Sequence, residues 1–209
     1  MRPLKKPPKK NADLTRDRRI ILCVCGMAGS GKSTAAKRLA KKYGLRYCSG
    51  GDALKALASE MGYDTDRRGW WESPEGIRFL RERMENPEFD RKVDMNLLRW
   101  AEEGDVVLDS RTMPWLLKGG FKIWLEASED VRARRIARRD GLTLEEARKY
   151  LSEKESRTKD IYKRIYGFNL GRDLTIFDLI LDVNLLSKDE TFHVLCMAIK
   201  NLLLRKTRD

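Results

Sequence analysis

Apolar residues along this chain fall into short blocks separated by longer charged stretches, where they recur every three or four positions. The block Ile20–Cys25 is continuous, apolar and rich in strand formers, and reads as a strand buried on both faces. Cys23 and Cys25 then point to one face as buried thiols. A glycine-rich turn follows, then a helix from about Ser33 to Tyr43 that Gly44 ends. Leu45 to Cys48 predicts a second short strand, and Asp52 opens another helix. The stretch 62–104 reads as an irregular segment and two charged helices split at Asn86-Pro87. Val106–Asp109 and Phe121–Leu125 predict a third and a fourth strand. A very basic helix from about Ser128 to Asp140 follows, and Thr143 with Glu146 forms a capping-box signature for the next helix. Phe177–Val183 predicts a fifth strand, and an amphipathic helix from about Asp189 to Leu204 closes the pattern. Strands alternating with helices argue for a parallel five-stranded sheet wrapped on both faces, an α/β/α arrangement in three layers.

The length of 209 residues suits one such domain. Hydrophobic residues at 41% supply a core, and charged residues at 36% give it an unusually charged surface. No apolar run approaches the roughly 20 residues that cross a bilayer, and no apolar stretch of a signal peptide stands at the N-terminus. A cytoplasmic protein without a membrane segment is therefore expected. Four cysteines without a CxxC pair and the single His193 give no support to a zinc site or a disulfide framework. Residues 1–19 hold eight Lys or Arg against two Asp, half of the net charge of +12, and three of the six prolines. With so little apolar surface, residues 1–18 read as a disordered basic tail ahead of a domain spanning 19–209. Solvation of the tail is the favoured reading; weak RNA contact is the alternative.

The turn after the first strand carries the chemistry. Gly26-Met27-Ala28-Gly29-Ser30-Gly31-Lys32-Ser33 fits G-x-x-x-x-G-K-[ST] and joins a predicted strand to a predicted helix, the context that this phosphate-binding loop requires. Its glycines let successive backbone N–H groups converge on phosphate oxygens, and the helix N-terminus adds attraction; Thr34 stands beside the loop. Lys32 would reach the β- and γ-phosphates of ATP, and the Ser33 hydroxyl would coordinate Mg²⁺. Asp109, at the end of the third strand, is the second candidate around that metal, with a helix N-cap as the competing reading. Arg132, Arg135 and Arg139 share one helical face, with Arg134 and Arg138 beside them. Five arginines this close repel one another unless an anion meets them, and ATP would supply one.

Further segments resemble nucleoside monophosphate kinases. Ser49-Gly50-Gly51-Asp52-Ala53-Leu54-Lys55 resembles their S-x-G-D-x-L-R segment, with lysine where arginine usually grips the acceptor phosphate. Leu108-Asp109-Ser110-Arg111 resembles the strand-end E/D-G-R segment of cytidylate kinases, followed here by Thr112 where bacterial members have aspartate. Glu155-Ser156-Arg157 through Arg164 is similar to the stretch after their lid. From Ile20 to Met197 the chain is similar to archaeal-type cytidylate kinases, Asn86-Pro87-Glu88-Phe89-Asp90 and Asp94 included. Met95-Asn96 and Gly69-Trp70-Trp71-Glu72 depart from the family.

The resemblance implies a P-loop fold with an acceptor-binding helical insert at about 52–104 and a lid at about 126–165. It implies ATP-dependent phosphorylation of CMP or dCMP to CDP or dCDP, with Mg²⁺ as cofactor; a monomer is expected. Lys32, Arg135, Arg157 and Arg164 would then be catalytic, Arg132 and Arg139 would join the loop in holding ATP, and Ser49, Asp52, Lys55 and Arg111 would hold the acceptor. The rival readings are AMP or UMP as acceptor, and an adenylate-kinase-like ATPase that acts with RNA or ribosomes.

Overall fold

The computed structural model describes residues 19–66 and 69–205; the predicted tail, 1–18, lies outside the described residues. The apolar blocks become strands β1 Ile21–Gly26, β2 Arg46–Ser49, β3 Val106–Asp109, β4 Phe121–Glu126 and β5 Leu179–Asp182. They form one sheet in the order β2-β3-β1-β4-β5, with every neighbouring pair parallel. Helices α1 Lys32–Tyr43, α2 Gly50–Glu60, α3 Pro74–Glu85, α4 Glu88–Glu103, α5 Met113–Leu116, α6 Glu129–Asp140, α7 Leu144–Tyr166 and α8 Lys188–Arg205 connect and follow them. A 3₁₀ turn, Trp70–Glu72, precedes α3.

Alternation along β1 divides the core into the predicted layers. Leu22 and Val24 pack with Ala35, Ala36 and Leu39 of α1 and with Leu195 and Ile199 of α8. On the other face Cys23 packs with Leu54, Phe79 and Leu97 of the insert helices α2, α3 and α4. Cys25 joins Trp124 of β4 and Ile161 and Tyr162 of α7. Both thiols are fully buried, and burial pushes that of Cys25 up to about 12, which keeps it a protonated packing group.

Local capping explains where the elements begin. Predicted to start at Asp52, α2 starts two residues earlier, because the Ser49 hydroxyl caps it by accepting from Asp52 N–H at 3.0 Å. The capping box at α7 is present: Thr143 Oγ1 accepts from Glu146 N–H, and Glu146 Oε2 accepts from Thr143 N–H at 2.8 Å. Helices α6 and α7 thus form a hairpin, closed by Ala133, Ile136, Ala147 and Leu151 against Ala28 of the loop after β1. β5 is shorter than predicted. Phe177 leaves the strand and packs against Trp115 and Trp124, and Ile180 on this edge strand is half-exposed.

The chain leaving β1 returns through β2 on one side of the sheet, whereas the chain leaving β3 crosses to β4 on the other. The carboxyl ends of the adjacent β1 and β3 therefore flank a crevice, the position in which open parallel sheets bind ligands.

Two measurements test this architecture. Arg19 donates to the Glu102 carbonyl at 2.6 Å and Ile20 N–H to Asp105 Oδ1 at 3.2 Å, so the described body begins there. A chain starting at Arg19 should melt within about 2 °C of the full chain. Leu39→Ala, which empties a fully buried site between α1 and the sheet, should cost about 2–5 kcal/mol in urea denaturation.

Candidate active site

The loop after β1 takes its shape from glycines. Gly29 and Gly31 are left-handed, at φ 79° and 94°. A Cβ on Gly29 would lie 2.8 Å from the Arg132 carbonyl oxygen, so the loop packs directly against α6. Lys32 opens α1 at the helix N-terminus. Burial holds its pKa below the usual lysine value; Asp109 acts against that shift and Arg111 adds to it.

A cleft of about 260 Å³ opens on this loop. Ala28, Gly29, Lys32 and Ser33 line it from the loop and α1, Ser49 and Asp52 from the start of α2, Asp109 and Arg111 from the end of β3, and Arg139 from α6. The structure thus brings the phosphate loop together with Ser49, Asp52 and Arg111, residues expected at an acceptor and far from the loop in sequence. Asp109 is buried; its Oδ2 accepts from the Tyr47 hydroxyl at 2.9 Å, and its Oδ1 has no hydrogen-bond partner among the described residues. It does not cap α5, whose N-cap is Thr112.

Several expected residues stand elsewhere. Arg132, expected at ATP, turns inward as a brace: its guanidinium pairs with Glu155 and donates to the carbonyls of Ala127 and Ala28, at 3.0 and 3.2 Å. Arg135 donates to the carbonyls of Ser30 and Val183, at 3.3 and 2.7 Å, and burial lowers its pKa. Arg157 pairs with Glu153 at 2.9 Å, and Arg164 is exposed on the last turn of α7. None of these four lines the cleft. Lys55 lines a separate shallow depression with Asp52, Ser59 and Asp66. Met27 packs into the aromatic cluster around Trp124, and Thr34 is exposed beyond the cleft.

Helix α7 instead presents Lys154, Thr158 and Tyr162, spaced four apart, to the cleft. Glu72, Arg83, Asp90, Asp94 and Thr112 add further polar groups to its wall. Arg83 and Asp90 form a buried two-bond ion pair, at 2.5 and 3.1 Å. Asp94 accepts from the Thr112 and Tyr166 hydroxyls, each at 2.6 Å. The spacing of Asp90 and Asp94 on one face of α4 was visible in the sequence. The inward aim of Lys154 was not, because a lysine in a charged helix reads as solvated.

Sequence and fold comparisons bear on the family and the fold. A cytidylate kinase from Methanopyrus kandleri is 36% identical, the match covering 90% of this chain and 96% of that protein. One from Methanocaldococcus jannaschii is 34% identical, with 88% and 99% covered. The sequence model of a family described as cytidylate kinase-like matches residues 21–185. The chain belongs to the cytidylate kinase-like family. A solved shikimate kinase from Bacteroides thetaiotaomicron superposes with a TM-score of 0.54 at 15% identity over 88% of this chain and 99% of that one, a likeness of fold alone. Among the described residues, no helix of this family member is long and apolar enough to cross a membrane.

Burial raises the Asp94 carboxyl to about 6, against the two hydroxyls that donate to it. The native state therefore holds this proton more tightly than the unfolded chain does. The contribution of this group to stability should fall as pH rises from about 4, its unfolded value, to about 6. Denaturation curves for the parent and for Asp94→Asn across that window should diverge, with the steeper pH dependence in the parent.

Proposed function

We propose that the chain transfers the γ-phosphoryl group of ATP to the phosphate of CMP or dCMP, giving CDP or dCDP. The observation that carries this reading is the single cleft shared by the phosphate loop, Arg111 and the buried polar wall of Arg83, Asp90, Asp94 and Thr112. Its donor end is built for a polyphosphate, and its other end for a small ligand with hydrogen-bonding edges. The family relatives described as cytidylate kinases support cytosine as the base.

The acceptor phosphate is already mostly dianionic near neutral pH, because its second pKa lies near ~6. No general base is needed, so catalysis rests on alignment and on charge stabilisation. In this reading Lys32 donates to the oxygens of the transferring group, and its lowered pKa reflects a cation kept partly out of water for that use. Arg111 acts electrostatically on both Lys32 and Tyr162. It would bind the acceptor phosphate between the two nucleotide sites. The α6–α7 hairpin would exclude the water that would otherwise hydrolyse ATP.

Asp109 Oδ1, buried and without a partner among the described residues, and the Ser33 hydroxyl lining the same cleft fit a magnesium ion and would hold it. When bound, magnesium supplies positive charge at the phosphate oxygens.

Turnover measured with CMP, dCMP, UMP and AMP should be highest with one of the cytidine nucleotides; preference for AMP or UMP would overturn the acceptor assignment. Lys32→Ala should lower kcat on the order of 10²–10³-fold in a folded protein. Arg111→Ala should raise the KM for the acceptor by about tenfold or more and leave ATP binding within about twofold. Equal damage to both substrates would count against its placement at the acceptor.

A further inference from the structure

The turn Gly69–Glu72 has no part in the roles assigned above, yet it is among the most tightly packed features of the cleft. Trp70 is buried and makes ring contacts with Tyr63, Trp71 and Phe79. The Ser73 hydroxyl donates to the Trp70 carbonyl at 2.7 Å and accepts from Gly76 N–H at 3.2 Å, which sets the start of α3. A Cβ on Gly76 would lie 2.2 Å from the Trp70 carbonyl oxygen, so α3 begins flush against the turn. Gly69 is left-handed at φ 69°, and a Cβ there would meet Asp140 at 2.9 Å. The turn is thereby wedged between the acceptor insert and the C-terminal end of α6.

Its last side chain reaches across to the hairpin. The Glu72 carboxylate is 3% exposed and takes one cation from each hairpin helix. Oε1 accepts from Lys154 Nζ at 2.6 Å, and Oε2 from Arg139 Nη2 at 3.0 Å. The Lys154 ammonium also lies over the Trp71 ring, 5.2 Å from its centroid. Arg139 has a second carboxylate in Asp140, whereas Glu72 is the one ion-pair partner recorded for Lys154 among the described residues.

A buried ion pair is a poor source of stability, because desolvation consumes most of its attraction. An apolar pair would fill this space at least as well. Glu72 and Lys154 nevertheless both line the cleft, together with Lys32 and Arg111. The charged groups that act on Lys154 are Glu72 from the turn, Arg111 from the end of β3 and Lys32 from α1. Two of the three are cations, and burial further disfavours a third cation beside them. Glu72 opposes these effects, and the outcome is a lysine lowered to about 8, still charged at neutral pH. An ammonium has three donors, and one bond to Glu72 leaves two for an anion in the cleft.

The geometry points to Glu72 as a positioning residue that holds Lys154, charged and aimed into the cleft, for the phosphate oxygens of the bound nucleotides, and so ties the acceptor insert to the cation of the hairpin. This inference rests on the phosphoryl-transfer reading and adds to it the residue that seats the cation.

The test uses the full-length chain with Glu72→Gln, which keeps the shape and removes the charge, and Lys154→Met, which keeps the stem over Trp71. With ATP and CMP, Glu72→Gln should lower kcat on the order of 10- to 100-fold while both KM values change less. Because Lys154 loses the carboxylate that keeps it protonated, the alkaline limb of the kcat profile should move to lower pH. In the Lys154→Met background, adding Glu72→Gln should cause no further loss. A folded Glu72→Gln enzyme with unchanged kcat and alkaline limb would overturn the proposal, as would an undiminished second loss in the double variant. If Glu72→Gln fails to fold, Lys154→Met decides alone: a kcat within about twofold of the parent overturns the role, and a fall beyond tenfold supports it. Should the parent chain transfer phosphate to no monophosphate, the reaction assignment fails by itself. The seating is then read from the titration of the Lys154 ammonium by ¹⁵N NMR, and an unchanged midpoint in Glu72→Gln rejects it.

Discussion

Positive charge gathered at the carboxyl ends of β1 and β3 is the constraint that the rest of the site answers to. Lys32, Arg111, Arg139 and Lys154 reach one cleft from four different elements. Two unit charges about 4 Å apart repel by about 4 kcal/mol at the effective dielectric of a protein surface. Such a cluster persists only with carboxylates in its walls and an anion to receive it. Of the carboxylates in its walls, Asp109, Glu72, Asp90 and Asp94 are buried, and Asp52 is exposed. They do not act alike. Burial pushes the Glu72 carboxyl up, but Lys154 and Arg139 outweigh it and hold the group ionised below its usual value. Among the described residues only hydroxyls donate to Asp94, and burial raises it instead.

The parallel sheet makes this concentration of charge possible. Each βα connection ends on the same edge, so residues far apart in the chain converge without long excursions. Direct contact between the phosphate loop and α6, through Gly29 against the Arg132 backbone, locks the hairpin to the sheet. Arg132 strengthens that joint by bonding to the Ala28 carbonyl and pairing with Glu155 of α7. One arginine of the basic helix is thus spent on holding the loop in shape. Arg135 acts similarly on Ser30 and Val183. Arg139, last in the series, is the member of this face that reaches the cleft.

The segment from about 52 to 104 meets the hairpin through aromatic and ionic contacts rather than through the sheet. Phe79 and Trp70 are buried beneath α2, α3 and α4, and the Gly69–Glu72 turn extends from that cluster to Arg139 and Lys154. Movement of either unit would therefore be felt at the cleft cations.

Local rules made much of this protein legible from its residues. The apolar block before Gly26-Met27-Ala28-Gly29-Ser30-Gly31-Lys32-Ser33 set strand, turn and helix in order, and the glycines that must adopt left-handed backbone marked the phosphate loop. The capping box at Thr143, the break at Asn86-Pro87 and the paired burial of Cys23 and Cys25 are likewise decided within a few residues, because capping, φ restriction and strand alternation act over that range. The aim of long charged side chains was decided only in the folded chain. Helical spacing grouped Arg132, Arg135 and Arg139 correctly on one face, yet which of them meets a ligand depends on the carbonyls and carboxylates that other elements bring within reach. On α7 the sequence pointed to Arg157 and Arg164, while packing against α3 and α6 turned Lys154, Thr158 and Tyr162 to the cleft. A lysine or arginine carries no local signal of its partner: its stem is flexible and its charge is satisfied as readily by water as by a carboxylate. Only the tertiary structure, by removing the water and supplying Glu72, fixes where Lys154 points.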